Sequence, residues 1–511
     1  MAALAELVEG TRDRLTQVNE VGRSRFGALK AWWMERDGLR HTLPQAVFIA
    51  LLVLYFLVFE RLVWARHAHF NTFDYDLGLN DQASWLLAHG RGFMTTRGMQ
   101  VFGHHATVGY YLFAPAYWLG ANAQFLDVVN TAAVTLGAVP LYALGRRAMK
   151  SDWFALGVAV AYLFHFLPQW LIWETFHPEN MAIPALFAAF YFATTRRWRW
   201  YWVAVVFALL WKEDVALFVM MLGIFVFFFK ARRIGVLTFG AAFGWFLLAT
   251  KVMAPYFSPA GAVYDSLFGP LGSSGTEVVF NSIRHPAVVA RTLGNNGAEG
   301  GLLSLVRGYG FVPFGGAVVF MLGAPQWVID YLSIESFTYN PRTHYFTLPF
   351  VAVTLAATWV LSNRRRRSVA WVLLFVMLAG VLATKNEGVG PWTANAAKGY
   401  WPQSDSADQV ELREALHLIP GGAGVSVNDF LVPHLTERPV VYTFPNPWRS
   451  SYYGPGGKGL KGDPAQVDYV MVKVDGFSPE DRALFEQVRS SGEFETIYAK
   501  DNVYVLHRVP T

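Results

Sequence analysis

Long apolar stretches recur along the chain, and they constrain its fold more than any other feature. Each is close to the roughly 17–25 residues that a helix needs to cross a bilayer. Hydrophobic residues make up 54% of the 511 residues and charged residues only 15%, whereas soluble proteins carry about 25% charged residues. The sequence therefore predicts an α-helical polytopic membrane protein with about eleven transmembrane helices. The apolar blocks cover residues 44–64, 124–144, 153–171, 180–195, 200–211, 214–229, 234–252, 302–314, 317–334, 345–361 and 369–384.

Two pairs of blocks have unusual connections. The fifth and sixth blocks are short and meet at WKED (residues 211–214), so we expect two half-length or tilted helices that meet at one surface. The eighth and ninth blocks flank PFGG (residues 313–316), which predicts a hairpin between them.

Lysine and arginine concentrate in alternate connections between the blocks. By the positive-inside rule these connections are cytoplasmic, together with the basic segment 1–43. The remaining connections, including the first outer loop 65–123, and everything after about residue 385 then face outward. We therefore expect a multi-pass protein of the plasma (inner) membrane, with a cytoplasmic N-terminus and an extracytoplasmic C-terminus. The net charge of +5 does not indicate nucleic-acid binding, because the basic residues lie in these short clusters: Arg146/Arg147/Lys150, Arg196/Arg197/Arg199, Lys230/Arg232/Arg233 and Arg364 to Arg367.

Many ionisable side chains fall on the outward-facing side of this topology. Ionisable groups at a membrane boundary indicate a functional site. The alternative is that these residues are polar only because their loops face water. WKED is the clearest signal, since three successive charges interrupt a long apolar run. We therefore predict that the first outer loop, WETFHPEN (residues 173–180), WKED and the start of the tenth apolar block converge around a cavity at the outer membrane boundary. The outward residues are Asp74, Asp76, Asp81, His104, His105, Glu174, His177, Glu179, Lys212, Glu213, Asp214, Arg342 and His344.

The stretch FDYDLGLNDQASWLLAHG (residues 73–90) follows the first apolar block and carries three of these aspartates. From Asp76 onward the apolar residues recur at helical spacing, which predicts an amphipathic helix at the membrane interface. Asp76 lies at the expected N-cap, where an aspartate is favoured for structural reasons alone. Capping explains one aspartate, whereas two flank the start of the helix.

Several motifs together resemble the GT-C class of membrane glycosyltransferases, and more narrowly an uncharacterised prokaryotic family of polytopic proteins with a domain of unknown function. The resemblance covers residues 44–385 and the general form of the C-terminal segment. The motifs are FDYDLGLNDQ, GHHATVGYYLFAPAYWL, WETFHPENMAIP, WKEDVALF and NPRTHYFTLPF.

The resemblance implies transfer of a sugar from a polyprenyl-phosphate donor to a glycan, lipid or protein acceptor of the cell envelope, on the extracytoplasmic face and with inversion. It implies a carboxylate of the first outer loop as the general base. Asp76, which precedes the Leu77-Gly78 to Gln82 pattern, matches best, and Asp74 remains an alternative.

Charge chemistry suggests roles for the other outward residues. A phosphate leaving group needs cations near its oxygens, and the candidates are Arg342, His344, Lys212 and Arg307, although Arg307 lies early in the eighth apolar block and needs a partner or a cavity there. A snorkelling charge or a structural ion pair is the alternative for each. Candidate substrate-binding residues are Glu213, Asp214, His104, His105, Glu174, His177 and Glu179.

No cofactor is firmly indicated. The absence of cysteine excludes thiolate metal sites, disulfides and cysteine nucleophiles. A divalent metal at His104/His105, at His177 with Glu179, or at Glu213 and Asp214 is possible, but no ligand spacing such as H-E-x-x-H supports one. We therefore assign no metal ligands from the sequence.

After about residue 390 the composition becomes that of a soluble domain. Strand-like and helix-like segments alternate, which predicts a small extracytoplasmic α/β domain over residues 390–511. The main alternative for the whole chain is a membrane transporter or flippase of a lipid-linked or polar substrate. Such proteins usually place their charges near the bilayer midplane, whereas here they gather at the outer edge.

Overall fold

The computed structural model describes residues 37–259, 267–272, 275–364, 366–401, 406–457 and 460–510. Most of the predicted basic segment 1–43 therefore lies outside the described residues. The rest is mainly helical, and its order follows the apolar blocks of the sequence. The helices are α1 (Asp37–Ala68), α2 (Leu79–Ala88), α3 (Val101–His104), α4 (Ala114–Trp118), α5 (Ala123–Leu136), α6 (Ala138–Met149), α7 (Asp152–Phe164), α8 (Phe166–Trp173), α9 (Ile183–Thr195), α10 (Trp198–Leu209), α11 (Val215–Phe229), α12 (Arg232–Leu247), α13 (Ala254–Phe257), α14 (Gly275–Arg284), α15 (Pro286–Asn295), α16 (Ala298–Arg307), α17 (Ala317–Phe320), α18 (Ala324–Leu332), α19 (Thr347–Ser362), α20 (Arg367–Ala383), α21 (Ala407–Leu416) and α22 (Pro479–Ser490).

Among the described residues, five helical segments are long and apolar enough to cross a membrane. A sixth is possible if α7 and α8, which are bent by 50° at their junction, form one broken span. α11 and α20 are apolar but shorter. The structure thus supports a polytopic membrane protein but does not confirm the count of eleven spans. The five segments are His41–Ala68, Ala123–Met149, Arg232–Phe257, Val312–Leu332 and His344–Ser362.

Short helices explain part of the difference between the eleven predicted spans and the five long segments among the described residues. α9 and α10 have 13 and 12 residues, so each is about 20 Å long or less at 1.5 Å per residue. A typical hydrocarbon core is about 30 Å thick. The half-length helices expected on either side of WKED are present as α10 and α11.

The prediction that the chain turns at PFGG is wrong. These residues lie within the short 3-10 helix Val312–Gly316, which begins the helical segment Val312–Leu332. The chain turns earlier, where Gly310 and Phe311 have positive φ angles of 59° and 61°. The physical reason is that Pro313 occupies the first turn of a helix, a position where proline starts a helix and does not end it.

α19 forms the centre of the helical bundle. In the segment His344–Ser362, which contains α19, 83% of the apolar stretch is buried inside the protein, compared with 22% in the segment that contains α1. The outer helices expose large apolar side chains such as Leu54 on α1 and Phe375 on α20, as expected for surfaces that face lipid.

The C-terminal part of the chain contains the strands β3 (Val425–Val427), β4 (Val441–Thr443), β5 (Tyr469–Lys473), β6 (Phe494–Lys500) and β7 (Val503–Arg508), and a separate hairpin in the first loop contains β1 (Phe93–Met94) and β2 (Met99–Gln100). The five C-terminal strands form a mixed sheet in the order β4-β3-β5-β7-β6. β3 pairs in parallel with β4 and β5, and the β6–β7 hairpin adds two antiparallel strands. One face of the sheet packs against α21 and the other against α22. The prediction of an α/β fold here is therefore confirmed.

The C-terminal domain packs directly on the first loop. The backbone N–H of Val441 donates to the Thr95 hydroxyl at 2.7 Å, and the rings of His67 and His434 stack at 4.1 Å. Gly78 marks the closest approach, since a Cβ there would lie 2.8 Å from Val432. The loop and the domain therefore lie at the same end of the helical bundle.

This packing overturns the prediction of an interfacial amphipathic helix after Asp76. The polar face of α2 is buried by the rest of the loop and by the C-terminal domain, so that Asp81 and Gln82 are fully inaccessible. Asp76 is not an N-cap either. It lies inside a π-helical turn, Asp74–Gly78, whose N-cap position is Phe73, and α2 itself begins after Gly78 without a side-chain cap.

Candidate functional site

Four segments that are distant in sequence meet at the end of α1. They are the turn Asp74–Gly78, the WETFHPEN segment after α8, the WKED connection between α10 and α11, and the start of α19. The predicted convergence of these segments is present in the structure. We call the charged groups at this point the polar cluster, and it consists of Asp76, Glu174, His177, Glu179, Lys212, Asp214 and His344.

Asp76 pairs with His177 in the middle of the polar cluster. Asp76 Oδ1 lies 3.3 Å from His177 Nε2, and the Asp76 side chain is 45% exposed whereas that of His177 is 6% exposed. Burial would raise the pKa of Asp76, but the adjacent positive charge of His177 outweighs it and holds that pKa below its usual value. Burial likewise opposes protonation of His177, but Asp76 outweighs it and raises the pKa of His177 to about 9. At neutral pH the two groups form an ion pair whose carboxylate is open to solvent.

The ring of His177 stacks on the ring of His344, with centroids 3.7 Å apart and 17° between the planes. His344 is held from the other side by Glu174. Glu174 Oε2 accepts the backbone N–H of His344 at 2.6 Å and lies 3.5 Å from its ring Nδ1. The stack therefore joins the Asp76 pair to the N-terminal turn before α19.

Lys212 occupies the far side of the cluster, between two carboxylates. Its ammonium donates to Glu179 Oε1 at 2.7 Å and lies 3.4 Å from Asp214 Oδ2. Burial raises the pKa of Glu179, but the Lys212 charge outweighs it and holds that pKa far below its usual value. The pKa of Asp214 is raised to about 6 because burial outweighs Lys212 there. Since Lys212 is neutralised in this way and only 7% exposed, the arrangement favours other cations for contact with a phosphate.

Glu213 holds the first loop. Its carboxylate lies 2.9 Å from His105 Nδ1 and accepts the backbone N–H of Ala106 at 3.1 Å. His104 packs edge-on against His105 with ring centroids 4.4 Å apart. Burial raises the pKa of Glu213, but the pair with His105 outweighs it and lowers that pKa to about 2. These three residues connect the loop to WKED beside the polar cluster.

The other two aspartates of the first loop face the C-terminal domain. Asp74 Oδ2 accepts the Thr443 hydroxyl at 2.7 Å, and burial raises the pKa of Asp74 to about 6. Asp81 accepts hydrogen bonds from Tyr117 and from Thr436. Asp74 therefore contacts the C-terminal domain, whereas Asp76, two residues later, contacts His177 and belongs to the polar cluster.

Arg342 and Arg307 lie at the rim and not within the cluster. The Arg342 guanidinium lies 5.3 Å from the centre of the Trp170 ring. Arg307 pairs with Glu387, whose backbone carbonyl accepts the indole N–H of Trp170 at 2.8 Å. Arg307 thus has the partner that the sequence required for it, and Glu387 connects it to the tryptophan that Arg342 approaches.

Three helices begin at the polar cluster. α9 follows the 3-10 turn Pro178–Ala182, α11 begins after Asp214, and α19 follows the 3-10 turn His344–Phe346. The N-terminus of a helix carries roughly half a positive charge and favours anions. The cluster carboxylates benefit from this field, and so would a phosphate bound beside them.

One set of side chains has the donor atoms of a metal site. Ligand atoms of Glu174, His177 and His344 all lie within 4.8 Å of one another. A metal ion lies close to the plane of each imidazole that binds it, whereas these two rings are nearly parallel and stacked. A shared ion would therefore require one ring to rotate out of the stack.

Sequence reasoning missed Arg66 and Tyr345. Arg66 ends the first apolar helix, donates to the backbone carbonyl of Trp173, and stacks over the Trp173 ring at 3.9 Å. Its charge acts on both Asp76 and Glu174. Tyr345 places its ring 5.7 Å from the Lys212 ammonium. The sequence offered one signal for Arg66, namely an arginine in the last turn of an apolar helix.

The sequence model of a family described as "predicted membrane protein (DUF2079)" matches residues 66–505. The chain belongs to this family. Every residue of the polar cluster lies within the part of the chain that matches DUF2079. No curated protein matches the chain.

Proposed function

We propose that this DUF2079 protein is a membrane glycosyltransferase of the GT-C type, which transfers a sugar from a polyprenyl-phosphate donor with inversion. The observation that carries the proposal is the ion pair of Asp76 with His177 at the end of α1. It supplies an ionised and solvent-accessible carboxylate beside the buried cationic ring of His177 and three helix N-termini.

The reaction needs one base and a site for a leaving phosphate. The acceptor hydroxyl attacks the anomeric carbon, the bond from that carbon to the phosphate oxygen breaks, and the polyprenyl phosphate leaves with the bonding electrons. The hydroxyl proton passes to Asp76. Since the hydroxyl becomes strongly acidic as its oxygen bonds to carbon, a carboxylate of low pKa can accept the proton late in the reaction.

His177 keeps Asp76 ionised before the reaction and fixes its position. The ion pair between the two side chains holds the carboxylate beside the His177 ring, and the stack on His344 holds that ring. A base held by a buried partner keeps its geometry better than one on an unsupported loop.

The leaving phosphate would lie near Arg342, which is exposed at the rim, and His344, which begins the segment that contains α19. The positive ends of α9, α11 and α19 would add to the charge of Arg342. Lys212 contributes indirectly, because its charge offsets part of the negative charge of Glu179 and Asp214 and so limits repulsion of a phosphate. Glu213, His104 and His105 would contact the acceptor or the sugar.

We place the polar cluster on the extracytoplasmic side of the inner membrane. Supporting this orientation, Arg147 and Lys230 line a cavity at the other end of α9, α11 and α19, as the positive-inside rule requires of a cytoplasmic end. The acceptor would then be a glycan, lipid or protein of the cell envelope.

The test is a deletion strain in which lipid-linked sugars and envelope glycans are measured by mass spectrometry. We expect one glycan to lose a sugar and the matching polyprenyl-phosphate sugar to accumulate, and both effects to disappear when the wild-type gene is restored. Unchanged glycan and lipid pools in the deletion strain would refute the proposal.

A further inference from the structure

The bundle has a second charged region at the end opposite the polar cluster. α9, α11 and α19 begin at the cluster and contain 13, 15 and 16 residues. At 1.5 Å per residue their far ends lie roughly 20–24 Å away. α6 ends at the same place, because Arg147 and Ala148 face the ends of the other three helices.

A cavity of about 200 Å³ lies between these four helix ends. One buried water molecule needs only roughly 10–15 Å³ of such space, so the cavity has room for a larger polar group. Its polar lining comes from Arg147, Thr194, Lys230, Ser362 and Asn363, and its apolar lining includes Phe190 and Trp359.

The cations at this cavity are not balanced by carboxylates. In the described part of the chain, Arg147 and Lys230 have no carboxylate within ion-pair distance, whereas the neighbouring Arg146 lies 2.9 Å from Asp152. Burial, together with the charges of Arg196 and Arg147, lowers the pKa of Lys230. The three cations therefore repel one another, and a bound anion would relieve this repulsion.

A hydroxyl in the lining also lacks a partner. Ser362 Oγ is buried and has no hydrogen-bond partner among the described residues. Helix C-termini attract cations, which accounts for basic residues in a last turn. A helix C-terminus accounts neither for a buried unpaired hydroxyl nor for cations crowded around one cavity, whereas a bound anion accounts for both.

We propose that this cavity binds a phosphate group, and that the phosphate belongs to the headgroup of an anionic membrane lipid. Lys230 and Arg147 supply the charge, Ser362 donates a hydrogen bond, and the wall formed by Phe190 and Trp359 faces the apolar part of the ligand. The position of the cavity at the end of a membrane bundle places it at headgroup depth, which favours a lipid over a soluble phosphate. This site is independent of the proposed glycosyl transfer.

The test compares ligand binding by the purified full-length protein in neutral detergent micelles. The probes are micelles doped with phosphatidylglycerol, micelles doped with phosphatidylcholine, and inorganic phosphate at matched ionic strength. Bound lipid is counted by native mass spectrometry, and the shift in melting temperature gives the affinity. The cavity variant is Arg147→Gln with Lys230→Gln, and the matched control is Arg232→Gln with Arg233→Gln, two exposed basic residues that do not line the cavity.

We expect phosphatidylglycerol to bind the wild type and the control equally, and the cavity variant about 30-fold more weakly, since each cation near a lipid phosphate contributes about 1 kcal/mol, or about fivefold. Ser362→Ala, which keeps every charge, should weaken binding severalfold and covers the case in which the double variant fails to fold. Equal losses in the cavity variant and the control, or no loss in either cavity substitution, would overturn the site. Binding of inorganic phosphate as tightly as phosphatidylglycerol would overturn the assignment to a lipid.

Discussion

Replacement of Asp76 by asparagine tests the electrostatics of the polar cluster. Asn keeps the size of the side chain but removes the charge that holds His177 protonated. His177 has a pKa of about 9, raised from 6.5, and a rise of this size corresponds to about 3.4 kcal/mol at 1.36 kcal/mol per pKa unit. Because Asp76 is 45% exposed, water screens the interaction, and we expect Asp76→Asn to lower the free energy of unfolding by about 1–2 kcal/mol.

The effect of Asp76→Asn should depend on pH in one direction. A pKa that is raised in the folded state adds stability that is fully present below the unfolded value of 6.5 and is lost as the pH rises through about 9. The pKa of Asp76 itself lies below its usual value, so the pair remains intact near pH 6. The difference between the wild type and Asp76→Asn should therefore be largest near pH 6 and small near pH 10.

The assay is unfolding by sodium dodecyl sulfate in mixed micelles, at pH 6 and at pH 10. The variants are Asp76→Asn, His177→Gln and the double variant, which together form a double-mutant cycle. We expect a coupling of about 1–2 kcal/mol at pH 6. Strictly additive single effects at pH 6, or a loss that is the same at both pH values, would refute the ion pair.

Three further substitutions test neighbouring parts of the account. Asp74→Asn should weaken the contact with Thr443 and cost about 1 kcal/mol of stability while leaving transfer within about tenfold of the wild type; an inactive Asp74→Asn beside an active Asp76→Asn would make Asp74 the base. Arg342→Ala should weaken donor binding by about 10-fold or more, as expected for loss of a charged hydrogen bond, with little change for the acceptor; unchanged donor affinity would remove Arg342 from the phosphate site. A cysteine at the exposed Ser450 should react with an impermeant reagent in intact cells, and one at Arg199 only after permeabilisation; the reverse pattern would contradict the proposed orientation.

The sequence predicts the architecture well where one pattern dominates. Apolar blocks without charge become helices because the backbone in a membrane must satisfy its own hydrogen bonds. In the C-terminal part, strand-like segments such as RPVVYTF alternate with helix-like segments such as PEDRALFEQVRS. This alternation predicts the α/β domain. The grouping of Asp76 with WETFHPEN, WKED and His344 follows from charge, because polar groups of a membrane bundle gather at its ends.

Features that depend on tertiary contacts could not be predicted in the same way. The apolar pattern of residues 180–195 does not show that α9 is too short to cross the bilayer alone. The polar face of α2 looks like a surface exposed to water, and only the docked C-terminal domain shows that Asp81 and Gln82 are buried. Arg66 contacts the cluster because α1 ends beside Trp173, a relation between residues more than a hundred positions apart.

The central claim is tested most directly by sugar transfer with purified protein. Wild type and Asp76→Asn are reconstituted in liposomes with the lipid-linked sugars that accumulate in a deletion strain and with envelope material from that strain as acceptor. Mass spectrometry then measures the release of polyprenyl phosphate and the configuration at the anomeric carbon of the product. We expect release and an inverted product with the wild type, and a rate about 10²–10⁴-fold lower with folded Asp76→Asn, as for loss of a general base. Equal rates for the two proteins, or a product with retained configuration, would contradict the account.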